Sequence, residues 1–524
     1  MKRGWLYWNT VRYLRPQQIL YQLINRFRPK PSLSIGRLPK TGVRRLHFPP
    51  PDKPVSVQGR TFTFLNKAVS FPGAIDWNYA GEGRLWAYNL NYFDFLIQPG
   101  LDRDQGLDLI RQFIDKTGQL NDGLEPYPTS LRIINWIRFL SFHDLQVTDI
   151  QAHLRAQVNL LENRLEYHLG GNHLLENAFA LVLAAIFFQD RVLYRKASAL
   201  LLEQLREQVL ADGGHYERST MYHQILLDRL LDVCCVLRQP DGYQDPVLES
   251  VLLHQARRML GWLEAVTFSN GNMPLVNDAA QGIAPSASEL GAKARLLGIS
   301  SEKAVLSDSG YRLLKTQTLE LLADVGAVGP GHQPGHAHAD TFSFELQVRG
   351  KPVIVDAGTS TYEANARRQW ERSTAAHNTV QVGETDSSEV WGGFRVARRA
   401  TVTLVQDSAT SLRAQHNGYA RFGCTHERSW DLIDAGTIRI TDRLLGPGKV
   451  RGVARLHFHP SVRISIAGKE LMAGPLQIRF LNVSIGQVTV GTYEYAVAFN
   501  QLQVAPCIEI AFLELLEWCL TVVE

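Results

Sequence analysis

Cysteine is scarce. The chain has five (Cys234, Cys235, Cys424, Cys507 and Cys519), an odd number with no zinc-knuckle spacing. Adjacent Cys234 and Cys235 fall in a helical pattern and read as buried thiols, so any metal site must draw on His, Asp and Glu. Long apolar runs are missing too: the longest uncharged one, residues 178–188, is too short to span a bilayer. The opening stretch, MKRGWLYWNTVRYLRPQQILYQLINRFRPKP, is basic but lacks the unbroken apolar core of a secretion signal. Charge of one sign is not in excess, since 55 basic residues against 51 acidic ones leave +4, too balanced to argue for nucleic acid. What remains is an ordinary soluble composition, 45% hydrophobic and 20% charged, in 524 residues. That length allows two or more domains, each with its own core.

Residues 1–28 read as one or two amphipathic helices. Trp5, Trp8, Leu14, Leu20 and Ile24 among Arg and Lys can lie on a membrane surface or pack on the body of the protein, and packing is the preferred reading. A Pro- and Arg-rich extended connection follows over residues 29–54, then a short strand or hairpin arm at 60–64. From residue 86 to 298 helical segments repeat: 107–117, 130–142, 149–166, 174–188, 193–210, 221–237 and 248–267. The segment 174–188 is apolar nearly all round, which places it in an inner layer covered by other helices. After Tyr311 the pattern turns to short strands: 319–325, 342–348, 353–356, 379–382, 400–405, 411–415, 428–432, 437–444, 453–458, 462–466, 478–483 and 488–490. Such density indicates a large antiparallel β domain of sandwich type. Residues 506–524 are apolar enough for strand or helix and stay open. The expected division is 1–80 as basic helices and linker, 81–307 as the helical domain and 308–524 as the β domain.

Three stretches carry chemistry. In GGNHLLEN (170–177), two glycines free the backbone and Asn172 can cap the following helix. His173 and Glu176, at i and i+3, share a face at its start. In ERSTMYH (217–223), Ser219 or Thr220 can be the N-cap. Tyr222 then sits in the first turn, where the helix dipole favours negative charge and predicts a lowered phenol pKa. The third stretch, GHQPGHAHADTFSFEL (331–346), lies at the helix-to-strand seam; if it is extended, His336 and His338 project from one face. Downstream, Asp356 closes an apolar strand and His377 opens another. A carboxylate there needs a partner or a metal. His338, Asp356 and His377 make a two-histidine, one-carboxylate set suited to zinc, which leaves His336 for substrate.

GGNHLLEN, ERSTMYH, PGHAHADTFSFEL, VDAGT and RSTAAHNTV, in this order, resemble the heparinase II/III family of polysaccharide lyases, over residues 80–460. The resemblance implies an α+β multidomain chain: an incomplete α/α toroid, then a large antiparallel β-sandwich domain, with an acidic polysaccharide in the cleft between them. It implies Asn172 and His173 near a substrate carboxylate, Tyr222 and His336 as proton-transfer and charge-stabilising groups, and Glu176 at a position some heparin-cleaving members use. It further implies one structural zinc on His338, Asp356 and His377. The basic N-terminal segment without a secretion signal departs from the secreted members. It is similar to relatives that accompany bacterial exopolysaccharide or capsule synthesis, which makes the synthesis machinery a possible partner. The expected compartment is cytoplasmic or peripherally membrane-associated, with the periplasm left open.

Elimination across a 4-linked uronide removes the proton on C5, beside a carboxylate whose charge must first be masked. Asn172 and His173 can supply that masking. Tyr222 can act as base and acid when proton and leaving group share a ring face; otherwise His173 or His336 is the base and Tyr222 the acid. Arg132, Arg218, Arg367, Arg368 and Arg372 can meet acidic sugars, and Trp136, Trp370 and Trp391 can stack on them, although packing is the ordinary role of each. Asn277 and Asp278 form a polar pair with no assignable role. The competing readings are a glycoside hydrolase on the same toroid, using carboxylates such as Glu176 with Glu217 or Asp278, and a non-catalytic polysaccharide-binding or assembly factor.

Overall fold

In the computed structural model, residues 2–36, 42–50, 53–239, 243–467, 470–483 and 487–523 are described. Residues 37–41 and 51–52 of the expected extended connection lie outside them. Two N-terminal helices, α1 (Lys2–Val11) and α2 (Pro16–Phe27), precede a three-stranded antiparallel sheet that includes Thr61–Phe64. Nine helices follow among the described residues up to residue 296: α3 (Arg84–Tyr92), α4 (Arg103–Lys116), α5 (Pro126–Phe142), α6 (Thr148–Glu162), α7 (Gly171–Phe187), α8 (Arg191–Gln208), α9 (Thr220–Leu237), α10 (Pro246–Val266) and α11 (Ala287–Leu296). All seven segments expected from periodicity are helices, with ends shifted by a few residues.

α7 holds the helical layer together. Its residues are buried almost without exception, and it packs on α5, α8 and α9. That is what an all-round apolar helix requires, because a stripe in water would be lost burial. The resulting core draws on residues from Leu46 to Ile299, the small N-terminal sheet included.

The C-terminal half consists of antiparallel sheets. The largest has eight strands, in the order Val402–Asp407, Ser411–His416, Thr425–Asp434, Thr437–Leu445, Leu515–Val522, Leu476–Phe480, Glu470–Ala473 and Ile464–Ala467. Register lines up Leu412, Trp430, Ile440, Trp518 and Phe480 across five strands. This apolar ladder forms the inner face of the sandwich. Opposite lie Val488–Ala498, Gln501–Leu513, Arg451–His457 and Val380–Val382 as one sheet and Tyr311–Lys315, Leu319–Asp324, Phe344–Val348 and Lys351–Ile354 as another. The undecided C-terminal stretch is therefore strand. Leu319–Asp324 is buried at every position. Part of it faces the sandwich core, while Leu322 meets Trp262 and Val266 of α10, so this sheet is the joint between the halves.

Candidate functional site

A cleft of about 1070 Å³ opens between the helical layer and the β domain. Asn172 and His173 from the start of α7, Tyr222 from the start of α9 and His336 from the seam all line it.

On the α7 side the glycines set the geometry. Gly171 has φ +60°, and a Cβ there would stand 2.1 Å from Glu217 Oε1. Only glycine lets that carboxylate approach and accept the Asn172 backbone N–H, at 2.9 Å. Asn172 is not the expected cap. Gly170 holds that position, and Asn172 Oδ1 is buried without a hydrogen-bond partner among the described residues. His173 Nδ1 donates to Glu166 Oε1 at 3.0 Å, and its ring rests 4.3 Å from that of Tyr127. Burial pulls the His173 pKa down, but Glu166, joined by the charges of Glu217 and Glu176, more than offsets it, so the net shift is upward. Glu176 is fully buried behind this wall and does not line the cleft. Its Oε2 lies 3.6 Å from Arg229 Nε, and burial pushes its pKa up to about 7.

α9 begins as its sequence suggests, with Ser219 Oγ accepting the Tyr222 N–H at 3.4 Å. The lowered phenol pKa, however, is overturned. Burial, reinforced by Tyr362 and by the Asp278 charge, pushes Tyr222 well above the ordinary value, outweighing the helix-end field. Its hydroxyl is 3.1 Å from that of Tyr362, and its ring centroid is 3.9 Å from that of His336.

The seam is not a strand at His336 and His338; pairing starts at Phe344. The two histidines converge for a different reason. Residues 336–338 run beside 277–278, with Asp278 N donating to His336 O at 3.1 Å and His338 N to Asn277 Oδ1 at 3.0 Å. The Asp278 carboxylate then accepts from His336 Nδ1 (2.9 Å), His338 Nε2 (2.8 Å) and both terminal nitrogens of Arg368 (2.5 and 2.6 Å). Burial alone would raise its pKa, but Arg368 and the imidazoles hold it well below the carboxylate range. With Nδ1 engaged, His336 turns Nε2 towards Glu217, 3.9 Å from Oε2.

The proposed metal ligands are neighbours. His377 Nδ1 lies 2.7 Å from Asp356 Oδ2, and the His338 and His377 rings are 5.3 Å apart. Among the described residues no group of three or more His, Cys, Asp and Glu side chains stands assembled for a metal ion. Two donors of the kind zinc takes are buried without partners among the described residues, His338 Nδ1 and His377 Nε2, whereas Asp356 is engaged by the other nitrogen of His377. Asp278 on the far nitrogen of His338 is the outer carboxylate that orients a ligating imidazole.

Four of the expected substrate-binding residues lie elsewhere or are engaged. Arg132 is fully buried, donating to Gln157, Asn91 O and Gly123 O, and Trp136 packs in the aromatic core with Phe93 and Phe113. Both sit on α5, whose inward face is core. Arg218 clamps the carbonyls of Ala327, Gly329 and Asp308, and Arg372 that of Ala337. Arg368 is the Asp278 counter-ion, Arg367 pairs with Glu371 and lies over Trp370, and Trp391 donates to Thr10. Sequence reasoning missed Tyr362, Tyr127 and Arg229, which line the cleft, and it named Asp278 and Glu217 only as hydrolase carboxylates, not as the groups that hold His336 and the Asn172 backbone. Arg229 alone left a signal, standing seven residues after Tyr222 on the same face of α9.

These features define a class: an incomplete α/α toroid joined to an antiparallel β-sandwich, with amide, imidazole and phenol groups gathered in the cleft between them. Residues 129–291 match the family description "Heparinase II/III N-terminus", and 299–498 match "Heparinase II/III-like, C-terminal". The chain belongs to the heparinase II/III-like family. It is 28% identical over 371 residues to FtsZ-localized protein C of Caulobacter vibrioides, covering 64% of this chain and 61% of that protein. It is 22% identical over 324 residues to a heparin-sulfate lyase of Bacteroides stercoris, covering 56% and 46%. The chain thus spans roughly half to three fifths of the length of these curated relatives. Heparinase III has the same fold, with TM-score 0.64 at 15% identity over 87% of this chain and 80% of that one. A heparan sulfate lyase of Pedobacter heparinus also shares it, with TM-score 0.56 at 16% identity over 97% and 88%.

Proposed function

We propose that the protein is a polysaccharide lyase, a carbon–oxygen lyase that cleaves a uronic-acid-containing polymer by β-elimination and leaves an unsaturated uronate end. Family membership supports the general class. The finer reading rests on one observation, that Asn172, His173, Tyr222 and His336 share one cleft although they come from three separate stretches.

The Asn172 amide, the His173 imidazole and the Arg229 guanidinium mask the uronate carboxylate, so that C5 becomes acidic enough to deprotonate. His336, held through Nδ1 by Asp278, takes the C5 proton on Nε2. The C5 electron pair forms the C4–C5 double bond as the C4–O bond breaks. Tyr222, kept protonated by burial, donates its proton to the departing glycosidic oxygen. Zinc, if held by His338, Asp356 and His377, would supply positive charge that ties together the loops beneath the seam.

The test is ultraviolet absorbance of the products from alginate, hyaluronan, heparan, chondroitin and bacterial exopolysaccharides. Elimination gives a conjugated chromophore, whereas hydrolysis gives none. New reducing ends without absorbance would support the hydrolase reading instead. That alternative has little to draw on, because Glu176 does not reach the cleft and Glu217 is tied to Asn172.

A further inference from the structure

The N-terminal helix pair is inside out. On α2 the polar residues face the protein: Gln18, 3% exposed, donates to Leu169 O and His332 O, and Gln22 lines the cleft. Its apolar residues face water instead, with Leu20 54%, Leu23 55% and Phe27 83% exposed. They recur at i, i+3 and i+7, one stripe of a helix. α1 shows large aromatics to solvent as well. Tyr7, Thr10, Val11 and, just past the helix, Leu14 line the cleft, while Trp8, 64% exposed, and half-exposed Trp5 do not.

An outward stripe of Trp, Leu and Phe forfeits burial unless something covers it. The charge around it says what. The first 51 residues hold eleven Lys and Arg and no Asp or Glu, although the chain as a whole is nearly balanced. Arg26, next to Phe27 on α2, and Arg12, in the turn between α1 and α2, are both exposed. An exposed apolar helix face accompanied by exposed cations, in a segment that also exposes Trp5 and Trp8, is complementary to the headgroup layer of an anionic bilayer. Among the described residues no helix is long and apolar enough to cross a membrane, so the contact is one of lying on it.

We infer that α1 and α2 dock the protein on an anionic lipid surface through Trp5, Trp8, Leu20, Leu23 and Phe27, leaving their inner faces as a wall of the cleft. The test is co-sedimentation of the full chain with vesicles of phosphatidylcholine alone or mixed with phosphatidylglycerol. Three proteins are compared: wild type, L20S/L23S/F27S and the charge reversal R12E/R26E. Wild type should pellet with the mixed vesicles, less so in high salt, and not with phosphatidylcholine alone. Each variant should lose about tenfold or more in partitioning, at an unchanged thermal midpoint because the replaced side chains are exposed. Failure of wild type to pellet, or equal pelleting by the triple variant, overturns the inference. So does light scattering that finds a wild-type dimer and a monomeric triple variant without vesicle binding, since a second copy would then cover the face.

Discussion

The rings of Tyr222 and His336 lie 3.9 Å apart, one at the start of α9 and the other on the seam before the sandwich. Neither is held by its own element alone. Tyr222 is fixed by the α9 cap and Tyr362, and His336 by Asp278. Replacing Tyr222 with Phe keeps the ring contact and removes only the transferable proton. Turnover should fall by about 10²-fold or more, while polymer retention in affinity electrophoresis and the thermal midpoint stay as in wild type. Full-rate turnover by this variant would eliminate the proposed mechanism.

Asp278 receives two imidazoles and a guanidinium where no water competes. Asp278→Asn leaves Arg368 buried without its counter-ion. A loss of about 3–5 kcal/mol in denaturant unfolding is expected, together with loss of turnover as His336 is released.

Gly171→Ala should be damaging although it adds one methyl. The residue sits at φ +60°, and the new Cβ would strike Glu217 Oε1. Left-handed backbone alone costs about 1–2 kcal/mol for a non-glycine residue, and displacing Glu217 frees the Asn172 N–H. The variant should unfold earlier in urea and turn over more slowly.

Glu176 gives a pH signature. Its pKa is raised to about 7 by burial, against about 4.3 for an unfolded glutamate. Between those values the folded chain binds more protons than the unfolded one, so this group makes stability fall as pH rises through that window. Glu176→Gln should remove the decline. Relative to wild type it should gain stability above neutral pH, by at most about 4 kcal/mol, and gain nothing near pH 4 in chemical denaturation.

Metal analysis of the purified protein should find about one zinc per chain. His377→Ala should release it and lower the unfolding temperature of the β domain, because His377 ties Asp356, past the end of Lys351–Ile354, to the turn leading into Val380–Val382. Zinc retained in full by the variant would remove His377 from the ligand set.

Much of this molecule was legible in its sequence, for unequal reasons. The helices α4 to α10 announced themselves because an amphipathic or all-apolar helix must repeat at the helical period. Their arrangement in a ring did not, since periodicity fixes which face is buried but not what covers it. Arg132 and Trp136 looked like cleft residues because charge and aromaticity suit sugars. Both are buried by tertiary packing that no local pattern encodes. Asp278 stayed unassigned because its partners lie 58, 60 and 90 residues away. The phenol shift of Tyr222 was misjudged because the helix field is local and visible, whereas burial and the Asp278 charge come from elsewhere in the fold.

One side chain near the beginning of the chain clasps both banks of the groove. The two carbonyls gripped by Gln18 belong to the turn feeding α7 and to the loop feeding His336. How far those banks stand apart is therefore governed partly by a segment that precedes residue 129, where the family likeness begins. Members with alike central motifs but different leading helices should accordingly differ in the length of polymer they accept.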